Sequence, residues 1–159
     1  MKQKDCGCPV IEAKDWEGRV FNWDGKAFYT EKVNYFFGVP LNVENRMARA
    51  AEAIEKKGYF LEDPLMVLVV EGTFSGAVYI AILPPEESVP AIRIFDNSLV
   101  ESTVYQRGDS RVAPGVKEFR ARLEEQGKLV RNVFLWHLGC PRCASADGYQ
   151  TIIFAELAN

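Results

Sequence analysis

Four cysteines lie in two closely spaced pairs near opposite ends of the chain. Cys6 and Cys8 enclose a single glycine, whereas Cys140 and Cys143 enclose two residues. Four thiolates are enough for a tetrahedral zinc site, and Cys-x-x-Cys is the usual spacing of half such a site. Since four thiolates leave no open coordination position, the pattern predicts a structural zinc ion. Reduced or redox-active thiols and a disulfide are the alternatives.

Two glutamates stand where the chain otherwise has the apolar character of a β-strand. Glu101 and Glu156 are these residues, and Glu31 is the counterpart of Glu101 in the first half of the chain. A carboxylate inside an apolar strand is costly unless it is paired or hydrated. In a groove such a group can take a proton from water, so Glu101 and Glu156 are candidate catalytic bases. The alternative is a carboxylate that faces solvent at a sheet edge or strand end.

Aromatic side chains and one histidine are candidates for binding a ligand. Trp136 and His137 are neighbours on one strand, so they point to opposite faces. An indole stacks on planar rings and attracts cations, which suits Trp136 to a flat ligand. His137, the only histidine, could serve as an acid or base or as a metal ligand near Cys140. Three tyrosines could line a ligand pocket or pack in a core: Tyr35, Tyr79 and Tyr105.

Regular secondary structure is indicated around these residues. Apolar residues recur at helical spacing in two stretches, 42–57 and 115–126. Asn42 is suited to cap the start of the first helix, and Gly58 and Gly127 mark the ends of the two helices. Six shorter stretches have the composition of strands. In chain order they are residues 26–37, 65–70, 77–83, 99–106, 133–138 and 151–157.

The two halves of the chain repeat each other. Glu31, Tyr35 and Gly38 recur at the same mutual spacing as Glu101, Tyr105 and Gly108, and the helices and later strands follow in the same order. We therefore predict a single α+β domain of two pseudo-symmetric β-α-β-β modules, about 18–83 and 90–157, after an N-terminal extension, 1–17. The modules should form one largely antiparallel sheet with both helices on one face.

These landmarks resemble the GyrI-like small-molecule-binding family, which duplicates a strand–helix–strand–strand module. In each half, a strand ends in a tyrosine followed by a glycine, at 35–38 and 104–108, and a helix ends in glycine, at 54–58 and 123–127. The resemblance implies a groove between the modules that binds flat, hydrophobic and often cationic compounds. Cation-binding members often carry a buried glutamate on an inner strand of the second module. Strand 133–138 has none, and Glu101 or Glu156 could supply the charge from a neighbouring strand.

The resemblance implies two different functions. Some stand-alone members resemble hydrolases that open cyclopropane rings, which implies hydrolysis of strained, electrophilic xenobiotics and a role in detoxification or multidrug binding. The alternative is a non-enzymatic interaction protein that uses the same surface to bind a protein such as a topoisomerase.

Composition excludes several other classes. The net charge is −3, and no cluster of lysine and arginine offers a face for direct nucleic-acid binding. No stretch approaches the ~20 apolar residues of a membrane span, and the N-terminus has no apolar stretch like a signal peptide, so we expect a cytoplasmic protein. The sequence contains no phosphate loop or dinucleotide fingerprint, and we expect no organic cofactor.

Overall fold

The structure is a computed structural model that describes residues 4–108, 111–140, 142 and 149–158. Its strands are β1 (Arg19–Asn22), β2 (Ala27–Phe36), β3 (Val39–Pro40), β4 (Val67–Val70), β5 (Ser75–Ile82), β6 (Ile92–Ile94), β7 (Leu99–Gly108), β8 (Val130–Leu138) and β9 (Tyr149–Leu157). Its helices are α1 (Val43–Lys57) and α2 (Ala113–Glu125), and a short 3-10 turn spans Ala13–Asp15. The chain divides into two compact units, unit 1 (Met1–Asn22 with Ser98–Asn159) and unit 2 (Trp23–Asn97).

Unit 2 is an antiparallel sheet packed against α1. Its strands run in the order β4-β5-β2-β3, and β6 also pairs with β2. Ala50 and Ile54 of α1 pack against Tyr29 and Ile80 of the sheet. Helix α1 presents these residues on one side because Ala50 and Ile54 are four positions apart.

Unit 1 repeats this plan with α2. Its antiparallel strands run in the order β1-β7-β9-β8. Phe119 and Leu123 of α2 pack against Leu135, Ile153 and Ala155 of the sheet. Since Ile153 and Ala155 alternate with Ile152, Phe154 and Glu156 along β9, the latter three side chains belong to the opposite face.

The short strands β1 and β6, which precede the first and second halves of the repeat and are called the leading strands, each pair with a strand of the other half. β1 directly precedes β2 in the chain, yet it pairs with β7 of unit 1. In the same way β6 precedes β7, yet it pairs with β2 of unit 2. Residues 19–22 therefore join the second half of the repeat, although the sequence pattern groups them with the first.

The predicted fold class, α+β with antiparallel strands in two β-α-β-β modules, is confirmed. Both predicted helices are present, and Gly58 ends α1 in a left-handed conformation. Asn42 precedes α1 as expected, but its side-chain oxygen accepts a hydrogen bond from the Asn34 backbone N–H at 2.9 Å instead of capping the helix. No helix among the described residues is long and apolar enough to cross a membrane.

Candidate functional site

The face of the unit 1 sheet opposite α2 combines aromatic side chains with a buried acid. We call it the aromatic face and define it by Trp16, Phe21, Trp136, Phe154 and Glu156. Strand register places them together, because Trp136 lies opposite Ile152 on β9 and Phe154 lies opposite Phe134 on β8. The last three are almost completely buried, and Trp16 and Phe21 are half-buried.

Trp16 packs over the centre of this face. Its ring lies 5.7 Å from that of Trp136 and 6.1 Å from that of Phe154, both in edge-to-face contact. Phe21 lies 5.5 Å from Trp16. The Ser102 hydroxyl donates a hydrogen bond to the Trp16 carbonyl, and the Gly18 N–H donates to the Ser102 carbonyl at 3.0 Å. The segment that carries Trp16 is thus held against β7 by its backbone.

Glu156 is the acid of the aromatic face, with 3% of its surface exposed. Asn132 Nδ2 donates a hydrogen bond to its Oε2 at 2.6 Å, and Ser98 Oγ lies 3.5 Å from its Oε1. An irregularity in the β8–β9 register between Val130 and Asn132 brings Asn132 directly opposite Glu156. These hydrogen bonds orient the carboxylate and come from neutral groups.

Glu101, the other predicted base, belongs to the other face of the same sheet. It lies opposite Ala155, which is part of the core beneath α2. Lys128 Nζ lies 2.6 Å from its Oε2. Its counterpart Glu31 in unit 2 is paired in the same manner, 3.2 Å from Arg46 of α1. Both glutamates of the repeat therefore carry an ion pair on the helix side of their own sheet.

The tyrosines and the histidine are spread over several environments. Tyr35 is buried on the α1 side of unit 2, where burial, and then the charge of Glu71, raise the pKa of its hydroxyl. Tyr79 lies on the other face of that sheet, 6.0 Å from the ring of Phe28. Tyr105 packs beneath α2. His137 is exposed, with Nδ1 3.0 Å from Thr151 Oγ1. Of the predicted ligand-binding residues in unit 1, Trp136 is the one that shares a face with Glu156.

Three of the predicted metal ligands lie close together. The sulfur atoms of Cys6, Cys8 and Cys140 are all within 4.8 Å of one another, and all three side chains are half-buried. Cys143 lies outside the described residues. Among the described residues, Cys140 of the second pair therefore lies beside both cysteines of the first pair, from which it is more than a hundred residues distant in sequence.

A cavity of about 220 Å³ lies on the α2 side of unit 1. Glu17 stands at its wall and accepts hydrogen bonds from the Thr103 hydroxyl at 2.8 Å and the Val104 N–H at 2.9 Å. Arg122 of α2 lies 3.5 Å from the same carboxylate. Since these donors hold Glu17 in place, its role here is to tie the N-terminal segment to β7 and α2.

Sequence reasoning missed Trp16, Asn132 and Ser98. Asn132 offered a signal, since it is a neutral polar residue inside an apolar strand, where it needs a partner. Trp16 offered none, because a lone aromatic residue in a polar stretch does not indicate which surface it covers.

The fold and this face define a class: an α+β protein of two duplicated units, with a buried carboxylate on the sheet face away from the helix in unit 1. The family model described as Bacterial hydrolase matches residues 1–157, and the chain belongs to that family. No curated protein matches the sequence.

Two solved structures share the fold. The C-terminal domain of EcmrR superposes with a TM-score of 0.69 at 9% identity, over 91% of this chain and 98% of that one. A hydrolase from Listeria innocua superposes with a TM-score of 0.56 at 13% identity, over 89% and 92% of the two chains. At these identities the similarity concerns the fold alone.

Proposed function

We propose that the chain binds a planar, hydrophobic and preferably cationic small molecule at the aromatic face and hydrolyses members of this class that carry a strained electrophilic ring. The observation that carries the proposal is a carboxylate, Glu156, buried among aromatic rings away from the helix. An aromatic surface next to a buried negative charge is the arrangement that favours flat cations. Membership of the bacterial hydrolase family supports turnover. The GyrI-like resemblance, with the fold shared with EcmrR, supports a small-molecule ligand.

The ligand would lie against Trp136 and Phe154, in the place that the Trp16 ring now occupies. Trp16 is half-buried and belongs to a short segment outside the sheet. Its ring can therefore rotate away about its side-chain bonds, at the cost of its ring contacts, while its backbone stays hydrogen-bonded to Ser102. The incoming ring system would replace these contacts with contacts of the same kind. Trp16 is thus a cover that competes with the ligand. The groove predicted between the modules stays a prediction.

Glu156 would act as the general base. It accepts a proton from a water molecule while the water oxygen bonds to the electrophilic ring carbon. The strained carbon–carbon bond breaks, its electron pair passes to the conjugated acceptor of the substrate, and that acceptor takes up the proton. Water is thereby added across the broken bond without a further reactant. Asn132 holds the carboxylate in position through its 2.6 Å hydrogen bond.

Replacing Glu156 separates binding from chemistry. Glu156→Gln should lower the turnover of an uncharged cyclopropane-bearing substrate by ~10²-fold or more and leave its binding largely intact, because a general base acts in the transition state. Glu101→Gln is the matched control, since it alters a buried glutamate of the same sheet on the other face. Equal loss in both variants, or unchanged turnover in Glu156→Gln, would overturn the assignment of the base.

Replacing Trp136 tests the aromatic surface. Trp136→Phe should weaken the binding of a planar cationic dye by ~0.5–1.5 kcal/mol, the scale of one aromatic contact, as followed by fluorescence titration. Trp23→Phe, a buried tryptophan of unit 2, should leave the affinity unchanged. A wild-type protein that binds dyes but consumes no strained substrate is a binder and not a hydrolase.

The alternative function, interaction with a protein, was predicted to use the same surface as the small molecule. An exposed aromatic cluster in unit 2 favours this function at a different surface. Phe36, Phe37 and Phe74 are each more than half exposed, and the Phe37 ring lies 4.8 Å from Phe36 and 5.2 Å from Phe74. If this cluster binds a topoisomerase, the wild type should inhibit its supercoiling activity and Phe37→Ser should not. Both functions belong to a protein that we propose to be cytoplasmic.

A further inference from the structure

The three clustered cysteines form a site that the ligand-binding proposal does not use. Cys6, Cys8 and Cys140 come from two segments that are distant in sequence, and their sulfur atoms all lie within 4.8 Å of one another. All three are thiols in the structure. Thiols are small hydrophobic groups with no need to meet at one point for packing alone. A shared ligand gives three sulfur atoms from separate loops a reason to converge.

We propose that Cys6, Cys8 and Cys140 bind a Zn²⁺ ion that fastens the N-terminal segment to the end of β8. Sulfur atoms around a tetrahedral zinc, with Zn–S bonds of ~2.3 Å, stand ~3.8 Å apart, which lies within the 4.8 Å that bounds the sulfur–sulfur distances of this cluster. Zinc prefers thiolate ligands and has no redox chemistry of its own, which suits a structural role. The three described thiolates carry the proposal, and they release their protons when the metal binds.

Local backbone geometry presents the first two thiols together. The Gly7 N–H donates to the Lys4 carbonyl at 2.8 Å, and the Lys4 N–H donates to the Cys8 carbonyl at 2.7 Å. Gly7 has a φ of +85°, which closes the turn and which a side chain at this position would disfavour. The turn therefore holds Cys6 and Cys8 on either side of a glycine that the geometry requires.

The position of the cluster gives the ion a structural task. Cys140 lies two residues beyond the end of β8, the strand that carries Trp136, and Cys8 begins the segment that leads to Trp16. Trp16 lies against Trp136. The metal would therefore anchor the far end of the segment whose other end is held by Ser102. It would limit how far Trp16 can move.

Zinc content is the first test and does not depend on the proposed ligand or activity. The purified full-length protein should contain about one zinc per chain. Cys6→Ser and Cys140→Ser should each weaken zinc binding by more than ~10–100-fold. That range is the effect of losing a residue that only hydrogen-bonds to a metal ligand, and losing a ligand itself should cost more. Asp5→Asn, in the same turn, is the control and should keep the metal. Metal-free wild-type protein that cannot be loaded with zinc overturns the proposal.

Cobalt substitution covers the case in which a serine variant fails to fold. Adding Co²⁺ to chelator-treated wild type should produce a strong thiolate-to-cobalt absorption that zinc then abolishes. Without that absorption the cysteines are not ligands, and a loss of titratable thiols in its place would indicate a disulfide. As a further readout, chelation should speed tryptic cleavage at Lys14 several-fold, and zinc should reverse this. Unchanged cleavage would refute the anchoring role.

Discussion

Glu101 and Glu156 have the same chemistry and lie on adjacent strands, yet their surroundings give them different tasks. Glu101 faces the helix side and is paired with Lys128, whereas Glu156 faces the aromatic side and accepts a hydrogen bond from Asn132. The ion pair with Lys128 ties Glu101 of β7 to the segment after α2, which suits it to stability. The second carboxylate, among aromatic rings, is the one suited to meet a ligand.

The Glu101–Lys128 pair should contribute to stability mainly through Glu101. The glutamate side chain is 8% exposed and the lysine 37%, so Lys128→Met leaves a buried carboxylate without its cation. We expect a loss of ~1–3 kcal/mol in the free energy of unfolding, measured with urea. Adding Glu101→Gln should restore much of it, because the neutral amide needs no cation.

The exposed pair Lys56–Glu52 is the control for this experiment. Both side chains are more than 60% exposed. Lys56→Met should therefore change the free energy of unfolding by less than ~0.5 kcal/mol. A loss at Lys128 no larger than the loss at Lys56 would contradict a stabilising role for the buried pair.

Tyr35 should make the protein less stable at alkaline pH. Burial, and then Glu71, raise the pKa of its hydroxyl above 10.0 in the folded state. The folded protein therefore holds this proton when the unfolded chain has lost it, and stability falls as the pH rises above ~10. Urea unfolding of Tyr35→Phe should show a smaller decrease between pH ~9 and ~11 than the wild type. Equal slopes would contradict this.

At the scale of elements, α2 depends on a glycine where it crosses β7. A Cβ atom at Gly115 would lie 2.6 Å from the Tyr105 ring, which is closer than packed atoms allow. A Cβ atom at Gly76 of β5 would likewise lie 2.6 Å from the ring of Tyr35, the counterpart of Tyr105. Each of the repeated tyrosines thus needs a glycine beside it, one on a helix and one on a strand.

Gly115→Ala should destabilise the protein although alanine is the better helix former. Alanine normally adds ~0.5–1 kcal/mol inside a helix. Here the clash with Tyr105 should outweigh that gain and cost ~1–3 kcal/mol net, seen as a lower midpoint of thermal unfolding. In a Tyr105→Leu background the same change should be neutral or stabilising. Stabilisation in the wild-type background would show that the ring moves aside freely.

The elements that sequence reasoning found are those with long periodic patterns. Both helices and the six predicted strands have apolar residues at regular spacing or in a continuous run, and packing in the structure follows that pattern. β1, β3 and β6 were missed because they are short and lie at sheet edges, where exposed residues such as Val20 and Ile94 break the alternation. Which face each glutamate takes depends on strand register, as between Glu101 and Ala155, and a single sequence does not specify register.

At the scale of the whole molecule, the repeat is closer than the sequence pattern indicated. Trp23-Asp24-Gly25 precedes β2 as Phe95-Asp96-Asn97 precedes β7, and Gly25 and Asn97 both have positive φ. The rings of Trp23 and Phe95 touch at 5.2 Å, and the Asn97 N–H donates to Asp24 at 2.9 Å. Equivalent turns of the two halves therefore contact each other.

Cutting the chain between the halves should leave neither piece stable alone. A break within 84–88 separates β6 from β2 and β1 from β7. Fragments 1–86 and 87–159 should each show little cooperative unfolding by circular dichroism, and mixing them should restore it. Cooperative unfolding of either fragment alone would mean that the leading strands are dispensable.

The exchange of β1 and β6 also bears on how such a chain could arise. A single ancestral module, with one leading strand, one helix and three further strands, would have no partner within itself for the leading strand. In a strand-swapped homodimer, each of two copies would pair its leading strand with the sheet of the other copy. Fusion of the two genes would then preserve every pairing and remove the dependence of assembly on concentration. The two halves would be free to diverge, as they have at Glu156 of β9, since the corresponding strand β5 carries no carboxylate.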